Sequence, residues 1–212
     1  GPSTGLPTKT EQSDLYQALF GRNGEAPCIV IAASSSANSF YFAFEAARLS
    51  LEHMTPTILL TDGYLGNGSQ LFRIPKMSAL PEIKPPFATP NDTTYMPYKR
   101  NPETLVREWA IPGMEGLRHR IGGLEKLDGK GSVSTDNANH QLMVNNRAEK
   151  VQKVADRLPD QKVLGDEDAD LLVVGWGGTE GALKLAVEEL RDEGKKIAFT
   201  HFNYIMPLPK NL

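Results

Sequence analysis

Two short runs of uninterrupted apolar residues limit what this chain can become more than any other feature: Cys28-Ile29-Val30-Ile31-Ala32-Ala33 and Thr57-Ile58-Leu59-Leu60-Thr61. Neither alternates polar with apolar, so neither suits a sheet with one face in water, and both read as strands buried on both sides. Between them a segment of helical character runs to about residue 53. Ser34, Ser35 and Ser36 precede it, and their hydroxyls can satisfy the free N–H groups at its start. Phe40, Ala43, Phe44, Ala47 and Leu51 form an apolar stripe along it that is expected to meet the sheet. Strand, helix, strand with such strands predicts an α/β fold, a parallel sheet with flanking helices. Ahead of the first strand, Leu15, Ala18 and Leu19 recur at helical spacing, with Thr8 or Thr10 as the cap and Gly21 as the stop.

From Leu65 to about Gly131 the pattern is lost. Pro75, Pro81, Pro85, Pro86, Pro90, Pro97, Pro102 and Pro112 fall in this stretch, and each removes a backbone donor that a helix or strand would need. A long Pro-rich arm is expected, serving as a lid, an interface arm or a wrap over another subunit. Helical character returns over 136–158 with Met143, Val144, Val151 and Val154, while Arg147, Lys150, Lys153 and Arg157 are expected to face water. A boundary is placed near Pro159. Beyond it, residues 169–181 read as a strand and a glycine turn. A helix bearing Leu183, Ala186, Val187 and Leu190 follows, and Lys196-Ile197-Ala198-Phe199-Thr200-His201 begins a second strand. The expected division is therefore 1–160 with its arm at about 65–131, then 161–212 as the start of a second α/β unit whose sheet two strands cannot complete.

Composition enters as exclusion. A net charge of -3 with 23% charged residues gives no electrostatic case for a nucleic-acid partner. No apolar run approaches 18 residues and no basic-then-apolar leader is present, so no membrane association is expected and a cytoplasmic location is. The single cysteine, Cys28, lies inside the first apolar run, which excludes a disulfide framework or an iron–sulfur site built from these residues alone. His53, His119, His140 and His201 show no metal-ligand spacing, and no metal site is expected.

Three short motifs carry possible chemistry. Gly1-Pro2-Ser3-Thr4-Gly5-Leu6-Pro7-Thr8 combines hydroxyl donors with glycines that let backbone approach a ligand, which suits an anion; an ordinary terminal segment has the same composition. Asp62-Gly63-Tyr64 closes the second strand at its C-terminal end, where open sheets bind ligands, but Asp-Gly is also a simple turn. Gly175-x-Gly177-Gly178-x-x-Gly181 resembles a dinucleotide fingerprint at a strand-to-helix junction. Its glycine spacing differs, and the next strand ends in Thr200-His201-Phe202 without the acid that holds a ribose, so a tight turn packing helix on sheet reads the same residues. A non-catalytic nucleotide-binding or assembly module is the alternative function these glycines and the arm support.

Taken together, Gly1 through Leu15 and Met54-Thr55-Pro56-Thr57-Ile58-Leu59-Leu60-Thr61-Asp62-Gly63-Tyr64 closely resemble the alpha subunit of 2-oxoacid:ferredoxin oxidoreductases, nearest to the 2-oxoglutarate type. Gly122-Gly123-Leu124-Glu125, Asn145-Asn146-Arg147-Ala148-Glu149-Lys150 and His201-Phe202-Asn203-Tyr204-Ile205-Met206-Pro207-Leu208-Pro209 extend the resemblance along the chain. It implies part of a thiamine-diphosphate pyrimidine-binding domain followed by part of a transketolase C-terminal-like domain. It also implies CoA-dependent oxidative decarboxylation of a 2-oxoacid, with electrons passed to ferredoxin. The diphosphate and Mg2+ would be held mainly by the beta subunit and an iron–sulfur cluster by a partner subunit or domain, in a hetero-oligomer. Ser3, Thr4 and Gly5, with Asp62, Gly63 and Tyr64, would lie near substrate or cofactor. The family's tyrosine-proline-isoleucine-threonine-proline substrate loop and its aminopyrimidine-activating glutamate have no counterpart in these 212 residues, so no catalytic residue is assigned and the stretch alone is expected to be inactive.

Overall fold

The computed structural model describes residues 13–212. Helix α1 (Ser13–Phe20) leads to strand β1 (Ile29–Ala32), helix α2 (Ser36–His53) and strand β2 (Thr57–Leu60). β1 and β2 pair in parallel, Ile29 opposite Thr57 through Ala32 opposite Leu60, with α2 as the crossover. Because side chains alternate across a strand, β1 feeds two cores. Ile29 and Ile31 pack with Leu49 of α2 and Val154, and Val30 packs with Cys28 and Ala18 on the α1 side. All of β1 is buried, as its unbroken apolar run requires.

The stripe of α2 that meets the sheet is not the expected one. Phe42, Ala46, Leu49 and His53 turn inward, whereas Phe40, Ala43, Ala47 and Leu51 are exposed. The helix carries apolar residues nearly all round, so two stripes compete and periodicity alone does not choose between them. The other stripe borders the Pro-rich arm: Phe40 lies 5.3 Å from the Phe72 ring, and the Trp109 indole donates to the Leu51 carbonyl at 2.8 Å.

After a five-residue helix α3 (Gly63–Asn67) the arm runs to Asp136 with one short 3-10 turn (Met77–Ala79) and isolated bridges, among them Phe87 to Trp109 and Arg100 to Arg107. Helix α4 (Asn137–Gln152), capped by Asp136, then pins the end of the arm. The buried Asn139 side chain accepts from the Asp128 N–H at 3.0 Å and donates to the Lys126 carbonyl at 2.9 Å. Replacing Asn139 with leucine leaves both backbone groups without these partners, a loss of about 2 to 3 kcal/mol. Hydrogen exchange is expected to quicken over residues 122–131 and to stay unchanged in β1.

The second sheet holds strands β3 (Val163–Leu164), β4 (Leu171–Trp176) and β5 (Ile197–Phe202) in the order β3-β5-β4. β4 and β5 are parallel and joined through helix α5 (Glu180–Asp192), while β3 adds antiparallel to β5. One residue past β5, strand β6 (Tyr204–Met206) enters the first sheet antiparallel to β1. The parallel sheets expected from the apolar runs are thus present as the pairs β1–β2 and β4–β5, each with an antiparallel neighbour. The reason for β6 is geometric. Asn203 allows no crossover helix, so the chain enters beside the C-terminal end of β1 and must run backwards along it. The Ala32 N–H donates to the Asn203 carbonyl at 2.7 Å and the Asn203 side chain donates to the Ala32 carbonyl at 2.8 Å. The C-terminal ends of the parallel strands of both sheets therefore meet.

Candidate functional site

Where those strand ends converge, the backbone N–H groups of Ser34, Ala37, Asn38 and Gly178 are engaged by this chain's own side chains. At the start of α2, Ser35 accepts from the Asn38 N–H at 3.1 Å, Asn38 accepts from the Ser34 N–H at 3.0 Å, and Gln70 accepts from the Ala37 N–H at 2.9 Å. Ser36 donates to the Leu65 carbonyl at 2.8 Å, tying α3 across the same helix start. The expected capping by serines is realised through Ser35.

Asp62, Gly63 and Tyr64 follow β2 as anticipated, and the structure joins them to the glycine turn. Asp62 caps α3 by accepting from the Leu65 N–H at 2.9 Å through Oδ1. Its Oδ2 accepts from the Gly178 N–H at 3.1 Å, across to the other sheet. A Cβ on Gly178 would lie 2.3 Å from that oxygen, so the contact requires glycine. Gly177, at φ +62, gives its carbonyl to His201 Nε2 at 2.9 Å. The Gly178 donor that a dinucleotide fingerprint would aim at a pyrophosphate is thus spent on Asp62. Tyr64 stands 78% exposed at the rim. Ser3, Thr4 and Gly5 lie outside the described residues.

A second constellation escaped the sequence reading. Arg100 and Arg107 of the arm face Lys150 of α4. Arg107 donates to the Pro97 carbonyl at 3.0 Å and stacks 4.2 Å from the Tyr98 ring centre. Arg100 pairs with Asp128 and approaches Met143 Sδ at 3.6 Å. Lys150 was expected in water. Instead its Nζ donates to the Met54 carbonyl at 2.9 Å, and burial, then Arg107, Arg100 and Arg147, push its pKa down to about 8. The signal was present: Lys150 is seven residues past the buried Met143 and adjacent to the buried Val151, on the inward side of α4. This seam is rich in positive charge, but Arg100 is paired with Asp128, and the bond to Met54 puts Lys150 where β2 begins, at the opposite end of the strand from Asp62.

Among the described residues, no group of three or more His, Cys, Asp or Glu side chains is placed to hold a metal ion. Two cavities lie elsewhere among the described residues. They run between α1 and α4, about 140 and 330 Å³ in volume, lined by Leu19, Arg22, Pro27 and Ala148, none of them at the strand ends. Cys28 borders the smaller one, and burial raises its thiol pKa despite the neighbouring Arg22.

A family model described as pyruvate flavodoxin/ferredoxin oxidoreductase, thiamine diphosphate-binding, matches residues 1–137. The chain belongs to this family. The match takes in the first sheet's parallel strands, the Asp62 loop and the whole arm of this pyruvate flavodoxin/ferredoxin oxidoreductase family member. Among curated proteins, the chain is 49% identical to the 2-oxoglutarate oxidoreductase subunit KorA of Mycobacterium tuberculosis, over its full length and 32% of that subunit. It is 34% identical to subunit alpha of 2-oxoacid:ferredoxin oxidoreductase 1 of Aeropyrum pernix, over 99% of this chain and 33% of that subunit. A solved 2-oxoglutarate:ferredoxin oxidoreductase from Magnetococcus marinus, with 2-oxoglutarate, coenzyme A and succinyl-CoA bound, superposes with a TM-score of 0.89 at 32% identity, covering 99% of this chain and 36% of that one. The chain spans about a third of the length of these relatives. Among the described residues no helix is long and apolar enough to cross a membrane.

Proposed function

We propose that this chain is part of the alpha subunit of a cytoplasmic enzyme that oxidatively decarboxylates a 2-oxoacid, 2-oxoglutarate in the first instance. Coenzyme A takes the acyl group and ferredoxin the electrons. The likeness to the Magnetococcus enzyme over nearly the whole chain carries this reading. In this reading Ser3, Thr4 and Gly5, with Asp62, Gly63 and Tyr64, border the substrate or cofactor. In the same reading residues 1–160 form the C-terminal part of a pyrimidine-binding unit, and 161–212 open the transketolase C-terminal-like unit while lending β6 to the first sheet.

Thiamine diphosphate does not fit the described residues at its diphosphate end. The N–H groups of Ser34, Ala37, Asn38 and Gly178 already donate to Asn38, Gln70, Ser35 and Asp62, and among the described residues no group of three or more His, Cys, Asp or Glu side chains is placed for Mg2+. We assign the diphosphate and Mg2+ to the beta subunit. An iron–sulfur cluster, which takes about four thiolates, belongs to a partner subunit or domain, since this chain holds only Cys28.

The test is reconstitution of the full-length subunit with its beta partner. Viologen or ferredoxin reduction is expected only when 2-oxoglutarate, coenzyme A and thiamine diphosphate are all present. Reduction that persists without the 2-oxoacid or without thiamine diphosphate rejects the reading, as does tight binding of NAD or FAD in its place.

A further inference from the structure

Asp62 makes two bonds that its place in the sequence does not announce. One oxygen stays local and caps α3; the other reaches the Gly178 N–H, 116 positions away, at 3.1 Å. The turn it reaches is built to receive it. Gly178 leaves no room for a Cβ beside Asp62, Gly177 takes the left-handed conformation that glycine tolerates, His201 holds the Gly177 carbonyl, and the Thr179 hydroxyl returns to the Trp176 carbonyl at 2.7 Å. Among the described residues, the hydrogen bond that joins the loop after β2 to the turn after β4 is the one made by Asp62. We infer that Asp62 is a positioning residue: its carboxylate locks the glycine turn of the second sheet to the loop that carries Tyr64, so the strand-end loops of the two sheets move together. The role in turnover rests on the function proposed above; the lock itself does not.

An aspartate can do this and an asparagine cannot. Two N–H groups converge on the carboxylate, which offers an acceptor to each, whereas an amide offers one oxygen and presents a donor to the other N–H. Asparagine is nonetheless as good a helix N-cap as aspartate. Asp62→Asn therefore separates a lock from a mere cap.

The test uses the full-length subunit assembled with its beta partner. In Asp62→Asn and, from the opposite side, Gly178→Ala, amide exchange is expected to quicken about tenfold or more in both 62–68 and 177–181, with β1 unchanged and the thermal midpoint within about 2 °C. The double variant should be no faster than either single one, because both remove the same contact. In turnover the KM for the 2-oxoacid is expected to rise about fivefold with kcat within twofold, the pattern of lost binding order rather than lost chemistry. Asp62→Asn that leaves exchange at 177–181 as in the wild type, or exchange effects that add in the double variant, overturns the lock. If the wild-type assembly shows no 2-oxoacid-dependent turnover, the proposed function fails while the exchange result still decides the lock.

Discussion

Replacing Leu49 with alanine is expected to lower the unfolding free energy by about 3 to 4 kcal/mol, within the range seen when a fully buried leucine is truncated in a core that relaxes only partly. Leu49 has 0% of its surface exposed and touches the inward face of β1 through Ile29 and Ile31, with Val154 closing the cluster. Phe42, Ala46 and Leu59 line the same space and cannot move in without pulling α2 off the strand. Leu51→Ala, two residues on, is the control. Leu51 is 41% exposed, and its truncation should cost under about 1 kcal/mol. Urea titration of both variants against the parent measures the difference. The stripe drawn from periodicity gives the reverse order, so the pair also decides which face of α2 meets the sheet.

The second large effect is acid sensitivity through His53. This residue ends α2 almost wholly buried, with no hydrogen-bond partner for Nε2, and its pKa is pushed down to about 4, first by burial and then by Arg157, with Arg48 and Lys150 adding and Glu52 opposing. In the unfolded chain the imidazole titrates near its ordinary value of about 6.5. Between those values the unfolded state binds the proton and the folded state does not, so acid favours unfolding. The sign follows. Stability is full above about pH 6.5, falls as the pH drops through 4, and loses no more from this group below that. The whole step amounts to about 3 kcal/mol. Denaturant midpoints measured from pH 7.5 to 4 should show it, and His53→Leu should flatten that slope. An unchanged slope in the leucine variant would assign the acid sensitivity to other groups.

Much of the architecture was legible because it is written locally. β1 and β2 announce themselves as unbroken apolar runs, α2 by its serines and length, and β4, the glycine turn, α5 and β5 by their order. Asp62-Gly63-Tyr64 follows β2 directly, as an Asp-Gly pair after an apolar run indicates. What periodicity could not carry were elements too short to have a period, the two residues of β3 and the three of β6. Nor could it settle choices between equals. Helix α2 offers two apolar stripes, and only the arm, with Trp109 on the Leu51 carbonyl, and the sheet, with Ile29 and Ile31 on Leu49, distribute them.

The family and the α/β plan were therefore fixed by residues acting on their near neighbours: branched side chains in strands, serine at a helix start, prolines along an arm that can form no ladder. The meeting of distant groups was decided by the fold. Asp62 found Gly178, Asn203 found Ala32, and Lys150 came to lie beside Arg100 and Arg107 because β6 turned back into the first sheet and the arm closed over α4. Such contacts depend on positions in space that no window of sequence contains, and the Asp62 bond to Gly178 at the candidate site is one of them.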